Sequence, residues 1–148
     1  MLGFMQWKDI RWGAAVGGML VAEVAQIVAA FAWVALYSYL VHPGETPAFY
    51  QRYAQASGPW VSLVAGTPIF YLVCRWIGSR DPSRAWATAM ALFGFFALVD
   101  LALMLPALSA GTASPRILGF VAALYLLKLL ACHLGGRSAA RNEVAVPA

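Results

Sequence analysis

The sequence predicts an all-α integral membrane four-helix bundle, and three observations carry the prediction. Hydrophobic residues make up 62% of the 148-residue chain and charged residues only 11%, whereas a soluble domain is roughly a quarter charged. So few polar groups cannot cover a surface that faces water. Four apolar stretches, residues 12–41, 60–77, 85–108 and 116–134, reach the roughly 17–25 residues that a membrane helix needs. The basic residues fall mostly between these stretches, where topology determinants belong. The net charge of +4 therefore reads as a membrane-topology signal, because no basic run is long enough to make a nucleic-acid patch.

The first stretch, Trp12–Val41, would extend to about 45 Å at the helical rise, so it must tilt or protrude from the bilayer. It is too long for the apolar segment of a signal peptide, despite Lys8 and Arg11 ahead of it. The segment His42–Pro59, HPGETPAFYQRYAQASGP, is the longest irregular one. Thr46-Pro47 offers a helix start, and Phe49, Tyr50 and Tyr53 cluster behind it, which predicts a short helix lying in the interface. The other three spans have start signals of one kind. SGPW (Ser57–Trp60), RDPSRAW (Arg80–Trp86) and SPRIL (Ser114–Leu118) each set Ser or Asp before Pro, an N-cap followed by proline in the first turn. The end of the chain, residues 137–148, reads as a disordered cytoplasmic tail. Residues 1–136 then form one four-span domain.

Seven Lys/Arg residues (Lys8, Arg11, Arg75, Arg80, Arg84, Arg137 and Arg141) flank one end of the predicted bundle. Arg52 and Arg116 lie at the other. The positive-inside rule places both termini in the cytoplasm of a cell with an inner membrane. Trp12, Trp60, Trp76 and Trp86 fall near span ends, as interfacial anchors do.

Two faces of the first helix differ in chemistry. Ala14, Gly18, Ala22, Ala25, Ala29 and Ala32 fall along one line, a seam of small residues that lets another backbone come close. Gly13 and Gly17 add a GxxxG spacing beside it. Through Gly18, Ala22, Ala25 and Ala29 the seam could serve a homo-oligomer or a larger membrane complex, as well as a helix of the same chain. On another face lie Glu23, Gln26, Trp33 and Tyr37, a polar stripe with aromatic walls.

Three spans contain an ionisable residue. From the flanking charges, Glu23 lies about 18 Å beyond Arg11, Lys128 about 13–14 Å from Arg137, and Asp100 about 24 Å from Arg84. Glu23 and Lys128 are thus at similar depth, and pairing them neutralises two charges that would each cost about 2.5–3.5 kcal/mol or more alone in the bilayer centre. Asp100 needs a partner on another helix, a water-filled opening or a proton, and GTPIFY (Gly66–Tyr71) on the second span is one candidate region. Pro68 has no N–H for the carbonyl of Val64, and Thr67 and Tyr71 supply hydroxyls.

The candidate ligand- or proton-binding residues are therefore Glu23, Gln26, Trp33, Tyr37, Thr67, Tyr71, Asp100 and Lys128. Cys74 and Cys132 lie in apolar runs without metal spacing and read as small buried hydrophobes. No cofactor signature is present. An enzyme would need a converging nucleophile, base or metal set, and the motifs for one are missing. An enzyme therefore ranks below two other function classes. One is a small transporter in which Glu23 couples to a proton or an organic cation. The other is a non-catalytic accessory subunit in which Glu23 and Lys128 form a structural ion pair.

Overall fold

The computed structural model describes Lys8 and residues 10–109 and 115–141 of the chain. Helix α1, Trp12–Leu36, continues through a π turn, Tyr37–Val41, to give a first span of 30 residues. Helix α2, Pro47–Val61, runs through a second π turn, Ser62–Gly66, into α3, Thr67–Gly78. A short 3₁₀ turn, Pro82–Arg84, leads into α4, Ala85–Ser109, and α5 spans Pro115–Arg141. Four helices are long and apolar enough to cross a membrane, and no strand occurs among the described residues. Lipid offers no hydrogen bonds to backbone groups, so an apolar chain of this kind satisfies them within helices.

Three local expectations change. The interfacial helix does begin at Pro47, and Thr46 caps it by accepting from the Phe49 N–H at 3.3 Å. It does not stop, however. It continues as one helix to Gly78, so SGPW is not a start and Pro59 lies inside the helix. The fourth helix starts at Pro115 as expected, while Ser114 lies outside the described residues. Its end differs: α5 runs to Arg141, so residues 137–141, expected in the tail, are helical. Residues 142–148 lie outside the described residues.

The turn between α1 and α2 is closed locally. Tyr37 O accepts from the His42 N–H at 3.0 Å. The Tyr50 hydroxyl donates to His42 O at 2.5 Å and accepts from the Glu45 N–H at 3.2 Å. Gly44 takes φ +84°, a left-handed conformation that glycine adopts without a Cβ clash.

Packing is uneven along the bundle. Every buried residue described on α1 lies at or before Ala22, on α3 and its π turn at or after Gly66, on α4 at or before Phe96, and on α5 at or after Lys128. The half near Trp12 and Arg141 is thus closed, around Ala15, Met19, Ala22, Phe70, Val73, Cys74, Ile77, Leu92, Phe96, Ala131 and Cys132. The opposite half is more open, with none of its described residues buried. Between helices in lipid there is little hydrophobic gain, so close van der Waals contact has to hold the closed half. Glycines make that contact possible. A Cβ on Gly135 would lie 2.5 Å from the carbonyl oxygen of Tyr71, and one on Gly136 would lie 3.0 Å from Cα of Trp86. On the predicted seam, Gly18 meets Ile77 and Leu92 of the same chain, and Ala22 is fully buried. Gly13 and Gly17 face open space instead.

These contacts predict a contrast. Gly135→Ala pushes a methyl group against backbone and should destabilise the fold by about 1–3 kcal/mol. Gly17→Ala should leave the thermal midpoint of the detergent-solubilised protein unchanged or slightly raised.

Candidate functional site

The polar residues gather where the closed half gives way to the open one. Glu23 and Gln26 lie one helical turn apart on α1, as their i, i+3 spacing requires, and Gln26 Nε2 donates to Glu23 Oε1 at 3.2 Å. Ser62, the first residue of the second π turn, donates its hydroxyl to Gln26 Oε1 at 3.0 Å. The result is a hydrogen-bonded row, Ser62–Gln26–Glu23, joining two helices. Gly66 ends that π turn. A Cβ there would overlap Gln26 Oε1 and lie 3.3 Å from Lys128 Cε, so the missing side chain is what admits both groups.

Across the bundle, Asp100 of α4 takes a donor from α5: the Tyr125 hydroxyl donates to Asp100 Oδ2 at 2.5 Å. Tyr125 also packs on Phe96, with ring centroids 5.7 Å apart. Phe96 in turn meets Phe70 edge-on at 4.9 Å. Over this pair lies the Lys128 ammonium, 4.2 Å from the Phe96 centroid and 4.9 Å from that of Phe70. Lys128 is 2% exposed. Ring faces attract a desolvated cation, but they do not accept its N–H groups as an oxygen would.

Two chambers meet here. The larger, about 460 Å³, runs between the second span, α4 and α5, with Trp60, Phe120, Asp100, Tyr125 and Lys128 in its wall and Arg116 at the open end of the bundle. The smaller, about 190 Å³, is lined by Glu23, Gln26, Ser62, Asp100 and Lys128. Gly58, Ser62, Phe96, Asp100 and Lys128 belong to both. Each carboxylate interacts electrostatically with Lys128.

Of the residues singled out from sequence, Glu23, Gln26, Asp100 and Lys128 come together. The expected direct Glu23–Lys128 pair does not form. Among the described residues the sole ion pair within 4 Å is Arg84–Asp81, and the Lys128 amine points over aromatic rings instead. Trp33 and Tyr37 leave the Glu23 stripe. The Trp33 indole donates to the Tyr53 hydroxyl at 3.0 Å, and Tyr37 stacks on Tyr53 at 3.6 Å, because α2 folds back along this end of α1. Trp33 lines another, apolar cavity of about 680 Å³, which shares Ala56 and Trp60 with the 460 Å³ chamber.

Thr67 has a local task. In the π register, Leu63 O has Pro68 as its donor residue, which lacks an N–H, and the Thr67 hydroxyl donates to that oxygen at 2.7 Å. Tyr71 points away toward Arg75 and Ser138. GTPIFY is therefore not the partner of Asp100. Tyr125, which sequence reasoning passed over, is. The available signal was its position three residues before Lys128, on the same helical face. Cys74 and Cys132 are both buried, with their thiols free and next to each other.

In a double-mutant cycle, Tyr125→Phe and Asp100→Asn should each destabilise the protein. Their coupling should be near 1 kcal/mol, between the average of about 0.6 and the maximum of about 1.7 kcal/mol for hydrogen bonds between membrane helices. Zero coupling would mean that the bond does not hold α4 to α5.

Compared with family models, curated proteins and solved structures, the chain matches none.

Proposed function

We propose that the chain is a small transporter of an inner membrane, with both termini in the cytoplasm, that couples the movement of an organic solute to a proton at the Glu23–Asp100–Lys128 centre. The observation that carries this reading is that three ionisable groups share connected chambers without a close ion pair. A purely structural pair gains most when it closes into direct contact with its hydrogen bonds satisfied. Here the groups are held apart, with room for a solute between them.

Charge supports the same reading. With Glu23 and Asp100 ionised and Lys128 protonated, the centre carries a net single negative charge. In lipid that charge calls for one cation, and either a proton or the cationic group of a solute can supply it. The Ser62–Gln26–Glu23 row fixes the carboxylate in place on the smaller-chamber side. The more open half of the bundle gives the larger chamber its opening.

The test uses purified protein in vesicles loaded with a pH dye, to which a panel of organic ammonium compounds, amino acids included, is added. At least one should drive a proton flux. Glu23→Gln, which keeps the bond to Gln26, should cut that flux at least tenfold while leaving the thermal midpoint nearly unchanged. If no compound moves protons, or if the variant moves them as well as the wild type, the transport reading fails.

A further inference from the structure

Lys128 is buried, yet its amine has no hydrogen-bond acceptor among the described residues. The neighbouring charges are better served. Asp100 accepts from Tyr125 through Oδ2, and Glu23 accepts from Gln26 through Oε1. The ammonium has the faces of Phe96 and Phe70 beneath it and the two chambers beside it. The amine is not itself sealed off, Ser57 Oγ being the one fully buried side-chain N or O atom without a partner among the described residues, so Lys128 opens onto the chambers and an acceptor carried by a solute can reach it there.

The surroundings restrict what that solute can be. A simple cation would set its charge against Lys128. A simple anion would satisfy Lys128 but would face Asp100 and Glu23. A solute with both an ammonium and a carboxylate group satisfies Lys128 and Asp100 together. Trp60, Phe96, Phe120 and Leu124 line the rest of the larger chamber, which suits an apolar body. Arg116 at the open end is a second positive charge for an entering carboxylate to meet.

We infer that the larger chamber is a site for a zwitterionic solute with an apolar body, its carboxylate on Lys128 and its ammonium on Asp100. This rests on the transport reading above and names the substrate class for it. The solute's own charges cancel, so the centre still carries its single negative charge, and the proton travels with the solute.

The test is equilibrium binding of three matched probes to the full chain in lipid nanodiscs: phenylalanine, which has both charges; phenethylamine, which has only the cation; and 3-phenylpropionate, which has only the anion. Phenylalanine should bind at least tenfold more tightly than either of the others. Lys128→Met should remove that advantage over phenethylamine, and Asp100→Asn should remove the advantage over phenylpropionate. The wild-type comparison stands without variants, so a variant that fails to fold does not decide the matter. Phenethylamine binding as tightly as phenylalanine would overturn the zwitterion site and leave proton-coupled transport intact, and absence of binding by all three would also overturn the site. Selective phenylalanine binding without proton flux in vesicles would uphold the site and refute transport.

Discussion

The arrangement depends on the cost of keeping one lysine out of water. Lys128 is almost wholly enclosed, and a bare ammonium in the middle of a bilayer is expensive. Everything around it reduces that cost. Phe96 and Phe70 turn their faces to it. Glu23 and Asp100 sit near enough to act on its charge without touching it. Gly66 gives up a side chain so that the lysine stem can pass. Together these groups offset the cost of the ammonium, and they bring residues from all four spans to this level of the bundle.

That level is also where the packing changes. Below it, toward Trp12 and Arg141, glycine and alanine bring helices into close contact, as at Gly135 against Tyr71 and Gly78 against Ala85 and Ala139. Above it, no described residue of the four spans is buried, and the chambers form. The second π turn, Ser62–Gly66, lies on this boundary. It changes the register of the helix just before Pro68, with Thr67 taking the Leu63 carbonyl. The same turn delivers Ser62 to Gln26. A device that absorbs a proline therefore also builds part of the site, in keeping with the frequent occurrence of π turns at functional positions.

How far the sequence could be read depended on the kind of signal. Span positions were legible because lipid forces a long apolar run to satisfy its own backbone as a helix. The Gln26–Glu23 bond was legible because helical spacing alone brings residues three apart together. SGPW misled because a proline that would begin a helix in water is tolerated inside one in a membrane bundle, where neighbouring groups take up the freed carbonyl. Residues 137–141 read as tail although they are helical, and the pair Gly135 and Gly136 just before them is a weak helix former on its own. Contact with α3 and α4 makes these glycines interior instead.

By itself, then, the sequence determined an all-α membrane bundle, the positions of Glu23, Asp100 and Lys128 along their helices, and the small-residue face of α1. Each of these follows from hydropathy or from the helical repeat along one helix. Only the tertiary structure decided which groups meet: Tyr125 with Asp100, Lys128 with two phenylalanines rather than with Glu23, and Trp33 with Tyr53. Those pairings depend on how each helix is rotated and where neighbouring backbones approach. Both are set by side-chain volume at contacts between helices, and no periodicity within a single helix records them.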